Sequence, residues 1–281
     1  MNKAIYKPKG KAGEYAEWAC NLYVGCSNDC SYCYCKRGVL GTVMGQPKAT
    51  LKKCFQDEIH AFEMFVNEVS RNADAIRQEG GIFFSFTTDP MLPETIDLTM
   101  MCVNLAAGMK IPCQILTKRA DWTVAPEEVP GYAGCKKLFI EALKPIKDYV
   151  SIGFTLTGYD LMEPHASFTY HRIEAMRRLH DAGIKTFASI EPVITFEKAE
   201  ECIKEAAPYC DIFKIGLMSG NKDFYNEYKF PEDLEDFVNK TNTFLSSKDI
   251  PVFWKKTVAD VLGYAPEGPT VVGREFSLFN K

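Results

Sequence analysis

The chain has 281 residues, of which 46% are hydrophobic and 25% are charged, and its formal net charge is −4. This composition is ordinary for a soluble globular protein, and the length suits one α/β barrel better than two small domains. The mild negative charge excludes a global attraction to nucleic acid and leaves only a local basic patch as a route to such a partner.

The N-terminal segment, residues 1–15, is predicted as a basic extension. It lacks the apolar stretch of a secretory signal, and no apolar run in the chain approaches the roughly 18–20 residues that a membrane span needs. The sequence therefore predicts a cytoplasmic protein with no membrane partner. In a reducing cytosol the 11 cysteines are not a disulfide framework, so some should be metal ligands and most should be small buried residues.

From residue 16 onward, short apolar strands alternate with amphipathic helices. Strands are predicted at residues 19–24, 82–87, 111–117, 150–156, 185–190, 212–215 and 252–254. A long helix, whose apolar residues recur at helical spacing from Leu51 to Val69, ends before Gly80. Further helices are predicted at residues 95–107, 172–182, 197–207 and 234–245, with a mixed turn and helix at 126–147.

This order predicts an α/β fold, a partial (β/α)6 TIM-type barrel with parallel strands, over residues 16–262. A doubly wound sheet is the alternative. No low-complexity linker divides the chain, so no second domain is expected. Residues 263–281 are punctuated by Gly and Pro and are predicted as an irregular C-terminal tail.

The segment GCSNDCSYCYCKR, residues 25–37, carries the main chemical signal. Cys26, Cys30 and Cys33 lie within eight residues directly after a strand, and three thiolates so close can hold one iron–sulfur cluster. Because a 4Fe–4S cluster has four irons, three cysteines leave one iron open for a ligand. Zinc is the rival metal, with a distant fourth cysteine or Cys35 completing the site. Zinc ribbons favour paired C-x-x-C units, and a second such pair is absent.

This C-x-x-x-C-x-aromatic-C pattern after the first strand of a β/α chain resembles the radical S-adenosylmethionine superfamily. The resemblance implies two cofactors, a 4Fe–4S cluster and S-adenosylmethionine. It implies that Cys26, Cys30 and Cys33 hold the cluster, and that the open iron chelates the cofactor's amino and carboxylate groups. One electron then gives methionine and a 5′-deoxyadenosyl radical, which takes a hydrogen atom from substrate.

A narrower resemblance rests on four segments, NLYVGCSNDCSYCY, SFTTDP, ILTKR and SIGFTLTGYD followed by RIEAMRRLHDAGI. These are similar to the spore photoproduct lyase-like, DNA repair photolyase-related group. The similarity covers roughly residues 20–220. It implies a lyase-like reaction on a DNA photoproduct, and an electron donor such as flavodoxin or ferredoxin.

Polar residues at the predicted strand ends are the candidate lining of the active site, since chemistry in β/α barrels collects at the C-terminal ends of the strands. The candidates for binding the cofactor are Tyr32, Thr87, Thr88, Asp89, Lys118, Thr155, Arg172 and Glu191. The resemblance assigns Lys118 to the cofactor's carboxylate, with Arg172 as a second candidate. It places Thr87 to Asp89 where the superfamily has a Gly-Gly-Glu-like motif for the amino group. Tyr32 is expected to pack over the cluster.

Three functions stay open at this point. A radical enzyme acting on a nucleic-acid lesion predicts a basic groove beside the cluster, formed by Lys36, Arg37, Lys255 and Lys256. A radical enzyme acting on a small metabolite or a peptide predicts an enclosed neutral or acidic pocket. A non-catalytic zinc- or cluster-bearing scaffold predicts no binding of S-adenosylmethionine. Two loops, at residues 163–165 and 219–228, are candidates for a lid.

Overall fold

A computed structural model describes residues 3–38, 41–124, 139–218, 225 and 227–279 of the chain. The strands in these residues are numbered in chain order: β1 Ile5–Tyr6, β2 Trp18–Cys20, β3 Tyr23–Val24, β4 Thr50–Leu51, β5 Ile82–Phe84, β6 Cys113–Thr117, β7 Val150–Thr155, β8 Lys185–Val193, β9 Phe213–Leu217 and β10 Val252–Trp254. The α-helices are α1 Gly41–Met44, α2 Glu58–Gln78, α3 Ile96–Gly108, α4 Phe139–Leu143, α5 Thr169–Asp181, α6 Phe196–Ala206, α7 Glu232–Ser246 and α8 Lys256–Leu262.

One eight-stranded sheet organises the molecule, in the order β1-β2-β5-β6-β7-β8-β9-β10. All its neighbouring strands run parallel except β1, which pairs antiparallel with β2. From β5 to β10 each strand lies beside the next in chain order, so the sheet does not reverse as a doubly wound sheet must. β10 and β1 are the edges of the described sheet, and the barrel is therefore open. The predicted α/β fold with a mostly parallel sheet is confirmed.

The N-terminal region differs from its prediction in two ways. Ile5 pairs with Cys20, and Tyr6 with Ala19, so residues expected in a basic extension add an edge strand to the sheet. The single strand predicted at residues 19–24 divides into β2, in the main sheet, and β3, which pairs with β4. Asn21 lies between the two strands, and its Oδ1 accepts from the backbone N–H of Phe86 at 2.8 Å.

The long helix α2 begins later than predicted. Asp57 caps it by accepting from the backbone N–H of His60 at 2.8 Å, and an N-terminal cap of this kind marks the first turn. Leu51 lies in β4, and Ile59 is 70% exposed. The buried face of α2 is the one that carries Phe65 and Val69, so the periodicity from Leu51 assigned part of the wrong face to the core.

Most of the segment predicted at residues 126–147 lies outside the described residues, which include only its end, with α4. The C-terminal tail is irregular but packs on the sheet: Val252 forms a bridge with Val271, and its N–H donates to the carbonyl of Thr270 at 2.9 Å. No helix among the described residues is long and apolar enough to cross a membrane.

Replacing Gly153 with alanine is expected to lower the free energy of unfolding by about 1–3 kcal/mol, because it overpacks the core. Gly153 lies in β7, and a Cβ there would stand 2.1 Å from the buried Phe187 ring. Chemical denaturation measures the loss. The matched control is Gly108→Ala, where a Cβ would meet no heavy atom within 4 Å. Equal stability of the two variants would contradict the packing described for β7.

Candidate active site

A cavity of about 570 Å³ opens at the C-terminal ends of the parallel strands. This is the size of a small-molecule or cofactor site. Of the 11 residues predicted for the site, ten line this cavity: Cys26, Cys30, Tyr32, Cys33, Thr87, Thr88, Asp89, Lys118, Thr155 and Glu191. The structure thus brings together side chains from the cysteine loop and from the ends of β5, β6, β7 and β8. Arg172 does not line the cavity in the described part of the chain.

The cysteine loop, residues 25–37, begins at a glycine that the backbone requires. Gly25 has φ +80, and a Cβ on it would lie 2.3 Å from the carbonyl oxygen of Lys48. Only glycine accepts both the positive φ and this close approach. The next residue, Cys26, donates its N–H to the carbonyl of Gln46 at 2.9 Å. Gly25 therefore lets the chain leave β3 and present the cysteines to the cavity.

The three predicted thiols differ in their protonation. Burial raises the pKa of Cys26 to about 12, and it also raises the pKa of Cys30. A hydrogen bond from Cys35 lowers the pKa of Cys33 to about 6. Since a metal binds the thiolate, Cys26 and Cys30 must lose protons when they become ligands. No three His, Cys, Asp or Glu side chains in the described residues are grouped to hold a single metal ion.

Cys35 also lines the cavity. Six other described cysteines do not line it; they are Cys20, Cys54, Cys102, Cys113, Cys202 and Cys210. Five of these six are buried, as predicted for core residues. Only Cys54 among these is half-buried. Cys135 lies outside the described residues.

Asp89 organises the floor of the cavity rather than offering a free carboxylate. Its Oδ1 accepts from the Thr117 hydroxyl at 2.6 Å and from the backbone N–H of Met91 at 2.9 Å. Its Oδ2 accepts from the Asn28 amide at 2.8 Å and from the backbone N–H of Lys118 at 2.7 Å. Four donors already occupy this carboxylate. Asp89 therefore ties the cysteine loop to the end of β6, which is a different task from the predicted contact with the cofactor's amino group.

Tyr32 and Arg172 both contact Glu163, which was predicted to belong to a lid. The Tyr32 hydroxyl donates to Oε1 of Glu163, and Arg172 Nη2 donates to Oε2 of the same carboxylate. The Arg172 and Glu163 side chains are both 0% exposed. Arg172 also donates to the carbonyls of Ser167 and Thr155 at 2.7 and 2.8 Å. Arg172 thus lies behind the wall, and this position replaces its predicted direct contact with the cofactor.

Lys118 and two unsatisfied polar atoms remain available to a ligand. The Lys118 ammonium stands 5.6 Å from the centre of the Tyr32 ring. Burial lowers the pKa of Lys118, but attraction to Glu163 and to the thiolate form of Cys30 outweighs burial, so the pKa is raised overall and Lys118 stays cationic. Asn28 Oδ1 and Thr88 Oγ1 are buried without a hydrogen-bond partner. A buried polar atom without a partner is costly unless a ligand or water satisfies it.

Thr87 and Thr155 are less open to a ligand than Thr88. The Thr87 hydroxyl donates to the carbonyl of Tyr23 at 2.6 Å, which ties the end of β5 to β3. Thr155 is buried, and its carbonyl accepts from Arg172. Both residues line the cavity, and their predicted roles in cofactor binding stay predictions.

A second polar group lies on the wall formed by β8 and β10. The Tyr15 hydroxyl donates to Glu191 Oε2 at 2.6 Å and stands 2.8 Å from the Ser189 hydroxyl. The Lys255 ammonium lies 3.0 Å from the same Oε2 of Glu191 and is 1% exposed. Its Nζ is 3.2 Å from the centre of the Tyr15 ring, a cation–π contact. Glu191 is therefore held in a fixed orientation on the cavity wall.

Lys214 lies in β9, between β8 and β10, and its buried ammonium is 5.2 Å from the centre of the Tyr15 ring. Burial, together with Lys255, lowers the pKa of Lys214 to about 7. Between pH 7 and roughly 10 the unfolded chain binds a proton that the folded chain lacks, so this lysine makes the unfolding free energy rise with pH. Relative to wild type, Lys214→Met is expected to gain more stability near pH 7 than near pH 9.5. Denaturation at both values, with the exposed Lys240→Met as control, measures this; a pH-independent difference would contradict it.

Sequence reasoning missed three residues that shape the site. Tyr15 was placed in an extension, and no periodicity marks it as a barrel residue. Asn28 lies inside the cysteine motif, where its polar side chain between two cysteines was a usable signal. Glu163 was read as part of a lid, yet the backbone N–H of Ser31 donates to the carbonyl of Met162 at 2.9 Å, so this segment is packed on the cysteine loop. Residues 219–224 and 226 of the other predicted lid lie outside the described residues.

Comparison with known proteins gives a family match over most of the chain. Residues 20–207 match the radical SAM superfamily. An uncharacterized protein of Methanocaldococcus jannaschii, MJ0683, is 23% identical over 241 residues, which are 80% of this chain and 81% of that protein.

Solved structures share the fold at low identity. Spore photoproduct lyase complexed with dinucleoside spore photoproduct superposes with TM-score 0.61 and 13% identity, covering 88% of this chain and 78% of that one. A variant of that enzyme with bound S-adenosylmethionine and the dinucleoside has TM-score 0.60, 14% identity and coverages of 85% and 76%. Streptococcus suis SuiB bound to S-adenosylmethionine has TM-score 0.54 and 12% identity, covering 84% of this chain. The chain spans 49% of SuiB.

Proposed function

Because this chain belongs to the radical S-adenosylmethionine superfamily, whose members use a 4Fe–4S cluster and S-adenosylmethionine, we propose that Cys26, Cys30 and Cys33 hold the cluster beside a substrate bound in the same cavity. When bound, the cluster and S-adenosylmethionine supply an electron and a 5′-deoxyadenosyl radical that removes a hydrogen atom from the substrate. The observation that carries the proposal is the meeting of these three thiols with Lys118 in one cavity. The family match sets aside the non-catalytic scaffold.

The residues present fit both groups. Three cysteines on one loop are a donor set suited to an iron–sulfur cluster, and they would leave one iron of a 4Fe–4S cluster without a protein ligand. The amino acid part of S-adenosylmethionine carries a carboxylate and an ammonium group. Lys118 suits the carboxylate, whereas the unsatisfied Asn28 Oδ1 and Thr88 Oγ1 suit groups that donate hydrogen bonds.

The chain's own residues bind and orient the substrate, and they exclude water from it. Asp89 and Glu163 hold the cysteine loop from two sides, Asp89 through Asn28 and Glu163 through Tyr32. Tyr32 is thereby fixed next to Lys118. On the wall formed by β8 and β10, Tyr15 and Glu191 present polar groups to a substrate. Cavity walls of fixed shape keep a reactive radical away from loose side chains.

The charges at the cavity favour an anionic substrate. Three exposed cations, Lys11, Lys36 and Arg37, are among its lining residues, and Lys36 also pairs with Asp29. The basic groove predicted from Lys36, Arg37, Lys255 and Lys256 is corrected, because Lys255 is buried against Glu191 and Lys256 is not among the lining residues. The cations that remain support a lesion-bearing nucleotide, handled in a lyase-like reaction. A small anionic metabolite is the second candidate, supported by the cavity volume of about 570 Å³.

Anaerobic reconstitution tests this function. Protein loaded with iron and sulfide, given S-adenosylmethionine and dithionite, is expected to form 5′-deoxyadenosine and methionine. A dinucleotide carrying an ultraviolet photoproduct, added in a parallel reaction, is expected to change the rate of 5′-deoxyadenosine formation and to be converted. An undamaged dinucleotide is the control. Loaded protein that forms no 5′-deoxyadenosine contradicts the proposal, and a rate unaffected by the photoproduct favours the small metabolite.

Replacing Lys118 with methionine is expected to weaken binding of S-adenosylmethionine by about ten- to a hundredfold, since a hydrogen bond to a charged group contributes about 1.5–3 kcal/mol. Equilibrium dialysis with the loaded protein, without oxygen, measures the dissociation constant. Lys204→Met on the exposed face of α6 is the matched control. An unchanged dissociation constant for Lys118→Met would contradict the proposed contact between Lys118 and the carboxylate of S-adenosylmethionine.

A further inference from the structure

Four polar side chains form one connected group on the wall of the cavity. They are Tyr15, Ser189, Glu191 and Lys255, and all four line the cavity. The Tyr15 hydroxyl donates its one proton to Glu191 Oε2 at 2.6 Å, so the Ser189 hydroxyl, 2.8 Å away, donates to Tyr15. The Lys255 ammonium lies 3.0 Å from the same Oε2. We call these four residues the Glu191 group.

The other carboxyl oxygen of Glu191 is left for a ligand. The hydrogen bond from Tyr15 and the ion pair with Lys255 both fall on Oε2. Among the described residues, Oε1 is not one of the fully buried atoms that lack a partner. The Glu191 side chain is 21% exposed, whereas that of Lys255 is 1% exposed. Oε1 therefore offers a hydrogen-bond acceptor in a fixed position to a molecule in the cavity.

Aromatic rings continue the same wall. Phe83 and Phe86 stack with their ring centres 4.6 Å apart and their planes 20° from parallel, and the Tyr15 ring lies 4.9 Å from that of Phe83. All three line the cavity, and Phe86 and Tyr15 are only half-buried. Because a flat ring can stack on such faces, the wall favours a planar heterocycle over a flexible chain.

The charges beside Glu191 favour a neutral group on the ligand. An ammonium group would be repelled by Lys255, whose Nζ lies 3.0 Å from Glu191 and 3.2 Å from the centre of the Tyr15 ring. A carboxylate or a phosphate would be repelled by Glu191 itself. A neutral N–H can donate to Glu191 Oε1, and a carbonyl oxygen next to it can accept from Lys255. A ring N–H beside a carbonyl group is the lactam edge of a nucleobase.

The Glu191 group lies apart from the residues proposed for S-adenosylmethionine. Thr88 and Lys118 follow β5 and β6, whereas Glu191 lies in β8 and Lys255 follows β10. In the sheet, β7 separates β6 from β8, and β9 separates β8 from β10. The cavity can therefore take a second molecule beside the cofactor.

We propose that the Glu191 group binds the lactam edge of a nucleobase, whose ring N–H donates to Glu191 while the ring stacks on Phe86. The proposal rests on the proposed function and deepens it, because it names the part of the substrate that the cavity recognises. Thymine and uracil carry this edge on one ring, and guanine carries it on two fused rings. The adenine ring of S-adenosylmethionine is the rival occupant.

The test measures nucleoside binding without turnover. Loaded protein is dialysed to equilibrium against thymidine, with and without S-adenosylmethionine and with no reductant. Thymidine is expected to bind in both cases. N3-methylthymidine, which lacks only the N–H, is expected to bind about tenfold or more weakly, the effect of one hydrogen bond to a charged group. Guanosine bound in preference to thymidine would assign the same edge to a two-ring base.

Three results of the dialysis would overturn the proposal. They are binding of neither nucleoside, equal binding of thymidine and N3-methylthymidine, and displacement of thymidine by S-adenosylmethionine, which would assign the wall to adenine. This comparison needs no variant protein.

Replacing Glu191 with glutamine is expected to reverse the preference between two bases. The amide oxygen stays with Tyr15 and Lys255, which both donate, so the amide N–H faces the cavity. Thymidine should bind about tenfold or more weakly, and cytidine, whose ring N3 accepts, should bind more tightly than thymidine. A merely structural role of Glu191 would weaken both nucleosides equally, and that outcome would overturn the proposal. The exposed Glu205→Gln on α6 is the matched control.

Direct binding also separates this proposal from the function on which it rests. Protein that binds the nucleosides as expected but forms no 5′-deoxyadenosine with dithionite counts against the radical chemistry. Protein that forms 5′-deoxyadenosine and binds no nucleoside counts against the role of the Glu191 group.

Discussion

Replacing Cys30 with alanine is expected to abolish cluster binding and to bring 5′-deoxyadenosine formation down to the level of the protein-free control. Cys30 is the middle cysteine of the loop, and its buried thiol lines the cavity. With two of the three proposed cysteines left, the cluster would lose one of its protein ligands. Iron and sulfide content, the absorbance of the reconstituted protein and the formation of 5′-deoxyadenosine measure the effect.

Cys113→Ala is the matched control for this prediction. Cys113 is 0% exposed in β6, and burial raises its pKa, so it is a small apolar residue of the core. The control is expected to lose some stability and to keep its iron and its activity. If Cys30→Ala retains its full complement of iron and turns over normally, Cys30 is not a ligand of the cluster.

Replacing Arg172 with methionine is expected to lower the free energy of unfolding by about 3–5 kcal/mol, the cost of leaving a buried charge without its partner. The charge left behind is that of Glu163, whose side chain is 0% exposed. The carbonyls of Ser167 and Thr155 lose their donors in the same variant. Denaturation in urea measures the loss.

The double variant Glu163→Leu, Arg172→Met separates loss of charge pairing from loss of packing. It removes both charges, so it is expected to recover much of the stability lost by Arg172→Met alone. It also frees the Tyr32 hydroxyl, and weaker binding of S-adenosylmethionine should therefore persist. If the double variant is as unstable as Arg172→Met, the buried pair is not the source of the loss.

Much of the fold follows from local patterns in the sequence. The strand predicted at residues 252–254 is β10, and the helix predicted at residues 95–107 is α3 with a shift of one residue. Both are short apolar segments bounded by turn residues. The predicted start of α2 was wrong because Leu51, which lies in β4, continues the helical spacing by chance, whereas the cap at Asp57 fixes the first turn. Local periodicity cannot distinguish these cases without the tertiary contacts.

The candidate site was predictable where topology brings residues together. Parallel strands end at one edge of a sheet, so Asp89, Lys118 and Glu191 were expected near the cysteine loop, and they line one cavity with it. What each residue contacts was not predictable. Tyr32 and Glu163 are 131 positions apart, and Tyr15 and Glu191 are 176 apart. Such pairs depend on how the loops close over the barrel, and no spacing in the sequence records this.

The open iron left by Cys26, Cys30 and Cys33 is tested most directly by electron paramagnetic resonance. The reconstituted, reduced protein is measured before and after S-adenosylmethionine is added. A 4Fe–4S signal whose g-values shift on addition is the predicted result, because the added molecule binds the iron that has no cysteine. A spectrum that S-adenosylmethionine leaves unchanged, or a protein that takes up zinc and no iron, would contradict it.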